Sequence, residues 1–393
     1  MWQAARLALG TASALGLSRF AYGLLVPAMR DDLHWTLAEA GAMSTANGLG
    51  YLVGALVTAS AVRRWGVAVA FRAGMALTAV TLAATAISDD FAVLLALRAA
   101  AGVVGAVVFV SGGVIASRLA HRVGSGTPIT VYFAGAGLGI VFGGVTIPLL
   151  GHDWRVAWLV LGVAAGLATP ACWTAAHADD DPPTATAGRA RVRALWRAAA
   201  AYLLFALGYI TYITFLSAYL ADRDASTGQV VLTWVALGLG VLVAPALWSR
   251  PIGAWPGTRA LAAVLVVLGA GAGLALVAPA PAVVVASAIV YGATFMGVPA
   301  AITALIRAGV PAADWTATLA AFTTVFAAGQ TAGPWLAGMV ADRTSTDATV
   351  AWTAVLCVAA ALLVVRVGPP RRPGAPRPPR RRPAAPARPR PGS

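Results

Sequence analysis

The sequence predicts an all-α membrane protein of twelve transmembrane helices arranged as two pseudo-symmetric six-helix bundles. Three observations predict it. The 393-residue chain is 59% apolar and only 11% charged, against roughly 45–50% and about 25% in soluble domains. Apolar stretches recur along most of its length, each near the roughly twenty residues that cross a hydrocarbon core about 30 Å thick. The chain also repeats itself, because an offset of 190 residues lays Gly48-Leu49-Gly50-Tyr51-Leu52-Val53 on Gly238-Leu239-Gly240-Val241-Leu242-Val243, and Tyr22 on Tyr212. Duplicated halves of this kind are a transporter architecture.

The spans run over 7–29, 39–62, 73–88, 91–117, 127–150 and 156–176, then 199–221, 229–248, 259–278, 281–306, 314–341 and 348–366. A spanning segment satisfies its backbone polar groups internally, and none of these alternates with period two, so each is a helix and not a barrel strand. The first sits where a signal peptide would, yet it is long, contains Arg19 and Pro27, and leads into further spans. Residues 1–176 form the expected N-terminal bundle and 199–366 the C-terminal one. A linker at 177–198 opens with HADDDPP (177–183), and 367–393 are a disordered Arg- and Pro-rich tail, with loose attachment to anionic lipid as its alternative role.

Charge orients the spans. All 28 basic residues are Arg, and basic residues favour the cytoplasmic side of short loops. With the N-terminus inside, 22 Arg fall on the inner side, among them Arg63, Arg64, Arg72, Arg118, Arg122, Arg250, Arg259 and Arg307. The outer side has Arg30, Arg155, Arg223 and Arg343, together with ten of the 14 acids. The expectation is a multi-pass protein of a bacterial inner (plasma) membrane with both termini cytoplasmic. The net charge of +14 points to no nucleic acid, since nine Arg belong to residues 366–393.

Several polar residues have ordinary readings. Thr36 and Glu39 form a capping-box pattern that Ser226 and Gln229 repeat in the second half, so Glu39 reads as a helix cap and not a proton carrier. Cys172 and Cys357 fall in helices six and twelve and read as packing. His34, His121, His152 and His177 fall in loops, which leaves no histidine relay in the membrane. Helix five carries Gly135, Gly139, Gly143 and Gly144, and helix eleven carries Gly329, Gly333, Pro334 and Gly338. Small residues every four positions let helices approach closely, and their recurrence 194 residues apart suits paired gating helices.

These residues resemble the major facilitator superfamily over residues 1–366. Leu94 to Gly105 (LLALRAAAGVVG) is similar to its helix-four motif, with Ala101 where Gln is usual. Gly135 to Gly144 (GAGLGIVFGG) is similar to its helix-five antiporter motif, with Ile140 in place of Pro. Gly329 to Gly338 (GQTAGPWLAG) repeats that motif, and Asp153-Trp154-Arg155 resembles the element before helix six. The loop Ser60 to Gly66 (SAVRRWG) lacks the family's Asp. Ser18 to Met29 (SRFAYGLLVPAM) and Gly208 to Leu216 (GYITYITFL) resemble the YbfB/YjiJ-like branch.

Function rests on polar groups inside apolar helices. Arg19 and Arg98 are mid-span charges, which cost on the order of 2.5–3.5 kcal/mol even on a lenient insertion scale and normally face a cavity or partner. No Asp or Glu lies in the interior of any span, so two uncompensated guanidiniums should attract an anion, through a bidentate fork. For each Arg a structural role stays open, as packing does for the helix-seven stripe Tyr202, Phe205, Tyr209, Tyr212 and Tyr219. The resemblance implies that helices one, four, seven and ten line a central path, which would place Arg19, Tyr22, Arg98, Phe109, Tyr209, Tyr212, Tyr291 and Phe295 along it. Asn47 and Gln330 are further candidates, with bonding between helices as the plain reading.

The expected function is secondary active transport of a small organic anion or amphipathic solute by alternating access, as an exporter or antiporter. A proton-coupled multidrug exporter, a carboxylate uptake symporter and a non-transporting sensor or scaffold stand as alternatives. No enzyme activity, cofactor or metal is expected, and no GxxxxGK phosphate loop is present. The expected partners are the small-molecule substrate and the lipid bilayer; the sequence leaves the oligomeric state open, with a monomer favoured.

Overall fold

The computed structural model describes residues 2–176, 188–278 and 280–365. The HADDDPP stretch of the expected linker, with His177, and the 367–393 tail lie outside the described residues. Twelve helices follow one another: α1 Trp2–Leu33, α2 Leu37–Trp65, α3 Val67–Thr85, α4 Phe91–Val123, α5 Thr127–Leu149, α6 Trp154–Trp173, α7 Trp196–Ala221, α8 Thr227–Ala254, α9 Arg259–Leu274, α10 Pro281–Gly309, α11 Trp315–Asp342 and α12 Asp347–Val365. Ten are long and apolar enough to cross a bilayer; α9 has only 16 residues, and α11 has the length but is diluted by Gly and Thr. We call the end of the bundle at which α1 starts the near face and the opposite end the far face.

Several boundaries differ from the expected spans. The expected loop after helix two is nearly absent: α2 continues to Trp65, with Arg63 and Arg64 in its last turn, where cations complement the helix dipole. Gly66, at φ 80°, makes the turn, and α3 starts at Val67 instead of 73. Helix four runs on to Val123, so His121 lies in its last turn and not in a loop. Within α1, residues Ala12–Phe20 form a π-helical segment that carries Arg19 in its last turn. The break in α10 at Met296 follows from Pro299, whose ring has no N–H and crowds the carbonyl four residues back.

The caps match the sequence in one half more than in the other. Glu39 is a cap: the Thr36 hydroxyl accepts the Glu39 N–H at 3.1 Å, and the Glu39 carboxylate accepts the Thr36 N–H at 2.8 Å. Ser226 accepts the Gln229 N–H at 3.3 Å without the reciprocal bond. Both cysteines are buried and free.

The helices pack as two repeated sets. In the first, α4 packs on α2 and α3, and α6 on α3; in the second, α12 packs on α7 and α9, and α10 on α8 and α9. The sets meet along α2 with α11 and α5 with α8. The most apolar windows of α1 and α7 are 94% and 78% buried, which marks them as the central helices.

The glycine rows explain the repeat's geometry. Gly135 and Gly139 of α5 take the carbonyls of Ala8 and Ala12 of α1, so close that a Cβ would run into either oxygen. Gly329 and Gly333 of α11 do the same for Leu203 and Leu207 of α7. The last glycine of each row reaches the other half: Gly144 packs on Trp234 of α8, and Gly338 on Leu37 of α2. Near contact of backbones is what small residues permit in a medium that supplies no hydrophobic drive between helices.

Candidate functional site

Arg19 reaches across the two sets of helices. It is 7% exposed, and its Nη2 donates to Gln330 Oε1 of α11 at 2.7 Å. Tyr209 of α7 donates its hydroxyl to the same oxygen at 3.0 Å. The Arg19 guanidinium lies 5.4 Å from the ring centre of Tyr51 on α2, within cation–π range. The amide nitrogen of Gln330, by contrast, is buried and has no hydrogen-bond partner in the protein. Arg19 forms no ion pair with a described residue, so its neutral partners satisfy donors without balancing charge.

Aromatic rings wall this cluster. Tyr209 stacks on Phe205 (5.1 Å), Phe326 (5.3 Å) and Phe295 (6.1 Å), and Phe20 meets Phe295 edge-on at 6.0 Å. The expected stripe on helix seven divides among three neighbours. Tyr202, Phe205 and Tyr209 face Phe326 of α11, Tyr212 stacks on Tyr291 of α10 at 4.0 Å, and Tyr219 donates to Ala275 O at 2.6 Å. Tyr212 also shares a hydrogen bond with Ser287 (2.8 Å), and Tyr22 donates to Ala40 O (2.8 Å). Tyr22, Tyr212 and Tyr291 are thus fully buried between helices in this structure, and Tyr291 also stacks on Phe295 of the Arg19 cluster at 5.7 Å.

Arg98 lies elsewhere. It is 1% exposed and donates to the backbone oxygen of Ser18 at 2.7 Å, beside the rings of Tyr22 and Trp158. In the second half a side chain of α10 likewise bonds the backbone of the central helix, Tyr291 donating to the backbone oxygen of Tyr209. Asn47 ties α2 to α4 through the Arg98 oxygen at 3.2 Å. Phe109 is half-buried against Tyr51 and Phe133.

The far face is closed above Arg19. Asp342, at the end of α11, accepts the N–H groups of Leu37 and Ala38 at 2.7 and 2.9 Å, the exposed first donors of α2. Thr45 donates to Thr331 O at 2.5 Å, Gly41 abuts Pro334, and Ser44 bonds Thr214 of α7 at 3.0 Å. Ion pairs brace each half at this face: Arg155 with Asp32 and Asp89, and Arg223 with Asp347. At the near face Asp314 accepts the Arg189 N–H at 2.8 Å and the Arg191 guanidinium at 2.7 Å. These two bonds, in that order, hold its carboxyl below the usual carboxylate range.

The family described as uncharacterised MFS-type transporter YbfB matches residues 11–367. The chain belongs to this family. The YbfB-family chain is therefore an MFS-type transporter, a membrane-embedded carrier of small molecules and not an enzyme. No curated protein sequence matches it. A point mutant of the nucleoside transporter NupG is similar in fold, with a TM-score of 0.73 at 15% identity over 92% of this chain and 99% of that one. A bacterial homologue of the human lysosomal transporter Spinster, inward-facing and unoccupied, gives 0.65 at 14% identity over 92% and 94%.

Sequence reasoning missed four residues around the two arginines of this YbfB-family transporter. Tyr51 borders Arg19, Phe20 and Phe326 pack on the rings around it, and Trp158 borders Arg98. Tyr51 carried a signal, as the one aromatic residue in the repeated GLGYLV segment, where its counterpart is Val241. Nothing in local sequence distinguishes the other three from packing aromatics.

Proposed function

We propose that this chain carries a small organic anion with a flat, apolar body by alternating access of its two six-helix halves, exchanging it across a bacterial inner membrane with both termini on the cytoplasmic side. One observation carries the reading. Arg19 joins the two halves through Gln330, with no ion pair to a described residue, while the Gln330 amide nitrogen stands buried and unpartnered next to it. A carboxylate or similar head accepts from both at once, by the charge-assisted bonds that arginine forms best. The rings of Tyr209, Phe295, Phe20 and Phe326 suit an apolar or aromatic body.

Supporting the mode of action, the cluster sits where the halves meet, and a solute that binds both halves favours their rearrangement around it. The domain boundaries at 176 and 199 and the gating role of the glycine rows belong to this proposal.

The test is a thermal-stability screen of purified protein against carboxylates, phosphates, aromatic acids, nucleosides and cationic drugs, in wild type and Arg19→Ala, followed by flux of each hit in proteoliposomes. Anions that stabilise wild type but not the folded variant, and that move across vesicles, support the reading. Stabilisation by cations alone, or anion shifts unchanged in Arg19→Ala, overturns it.

A further inference from the structure

A second group of unmatched donors lies inside the first six helices, apart from the Arg19 cluster. Arg98 of α4 uses one of its five N–H donors on Ser18 O. Its Nε and Nη2, the indole Nε1 of Trp158 on α6 and the hydroxyl of Ser18 on α1 are all buried and have no hydrogen-bond partner in the protein. The guanidinium carbon lies 5.2 Å from the Trp158 ring centre and 4.9 Å from that of Tyr22. Three helices thus bring residues that carry unsatisfied polar atoms to the same guanidinium.

Guanidinium and indole nitrogens donate and cannot accept, so they cannot satisfy one another; the Ser18 hydroxyl is the one group here able to accept, and it takes no bond from them. Burying an unpartnered donor costs about 1–3 kcal/mol, and burying an unbalanced charge costs more. Arg98 forms no ion pair with a described residue. The rings of Tyr22 and Trp158 offset part of its charge by cation–π attraction, but they accept none of the three N–H groups. What the place lacks is an acceptor with negative charge. A water would supply the first without the second.

We propose that a halide-sized monovalent anion binds among Arg98, Trp158 and Ser18, within one half of the transporter and separate from the Arg19–Gln330 site. Small size follows from the surroundings, because Arg98, Trp158 and Tyr22 are each almost wholly buried between α1, α4 and α6. A spherical ion accepts from several converging donors without the planar geometry a carboxylate demands.

Chloride and bromide, titrated against gluconate at constant ionic strength, are the probes, with thermal stability of the purified full chain as the first readout. Saturable stabilisation by both halides is expected. Trp158→Phe, which keeps a ring and removes the indole donor, is expected to raise the half-saturating chloride concentration about tenfold, and Ser18→Ala to raise it less. Arg19→Ala, which removes a neighbouring charge but none of the proposed donors, is expected to raise it less than Trp158→Phe does, which separates this site from the proposed substrate site. Bromide anomalous scattering from crystals of the wild type supplies a readout that needs no variant to fold. A peak at hydrogen-bond distance from Arg98 and Trp158 supports the site. Stability independent of halide, a halide response identical in Trp158→Phe, or no bromide at Arg98 overturns it.

Discussion

Arg19 of α1 and Tyr209 of α7 converge on a single oxygen, Oε1 of Gln330, at 2.7 and 3.0 Å. They stand 190 residues apart, the same offset that lays Tyr22 on Tyr212. The repeat therefore places a cation and a phenol at matching positions of the two central helices, and α11 alone provides the acceptor between them. Symmetry of the fold and asymmetry of its chemistry meet at this amide.

Tyr209→Phe separates the two roles of that tyrosine. The ring keeps its stacking on Phe205 and Phe326 and loses one hydrogen bond, worth about 1 kcal/mol net. A small drop in thermal stability with an intact response to ligand is expected in the same thermal screen. Complete loss of the ligand response would instead place the hydroxyl in direct contact with the solute.

Asp342 acts as a far-face latch, because its two carboxylate oxygens cap the first N–H groups of α2 from the opposite half. Capping bonds and helix-dipole attraction of this kind are worth about 0.5–2 kcal/mol. Asp342→Asn is expected to open the far face more often, several-fold at that energy. With Cys172 and Cys357 replaced, Thr45→Cys, at a position that now bonds Thr331, reports this as faster labelling by an impermeant thiol reagent. An unchanged rate would show that the Gly41–Pro334 and Gly338–Leu37 contacts close the face without Asp342.

Glycines within the helices should respond differently according to what faces them. Gly135→Ala and Gly333→Ala drive a Cβ into the Ala8 and Leu207 carbonyls, and overpacking of this sort costs about 1–3 kcal/mol. Gly113→Ala meets nothing nearer than 3.9 Å and is expected to be neutral or stabilising, since alanine favours the helix by up to about 1 kcal/mol. Thermal unfolding in detergent distinguishes the pair from the control.

The bonds that hold Asp314 to Arg189 and Arg191 make the near-face strap sensitive to acid. A carboxyl whose folded pKa is depressed contributes stability that is fully present above its unfolded value, about 3.9, and lost as pH falls through the folded value. Hydrogen exchange should show the Arg189 amide protected at neutral pH, losing protection only in acid below about pH 4. Asp314→Asn should lose much of that protection at neutral pH. An amide equally protected in the variant would remove Asp314 as the strap's anchor.

The twelve spans, the repeat and the Glu39 cap were legible because each is local: hydropathy over twenty residues, identity at a fixed offset, a cap read across three positions. The expected loop at 63–72 misled because its arginines look like a solvated turn, whereas Arg63 and Arg64 finish α2 as dipole-complementing residues before a single positive-φ glycine and Arg72 lies within α3. The isolation of Arg19 and Arg98 was half legible. That no acid lies inside a span can be read from the sequence, but the neutral partners Gln330 and Ser18 O lie 311 and 80 residues away. Ring stacking and hydrogen bonding likewise decide which neighbour each α7 tyrosine serves, and they depend on α10, α11 and the Ala275 carbonyl after α9, which no periodicity on α7 encodes.

Gln330→Glu turns that asymmetry into a test of the charge argument itself. The substitution is nearly isosteric, and the oxygen it keeps already accepts from Arg19 and Tyr209. It adds the negative charge that the apolar helices lack, at hydrogen-bond distance from a buried cation, and removes the unpartnered amide nitrogen. An internal carboxylate occupies the fork permanently, and a solute anion must displace it and bear repulsion from it. Anion-dependent stabilisation should weaken at least tenfold, about 1.4 kcal/mol or more, while the unliganded protein becomes more stable than wild type. If anions stabilise Gln330→Glu as well as they stabilise wild type, the solute does not use the positive charge of Arg19, and recognition must rest on the aromatic wall alone.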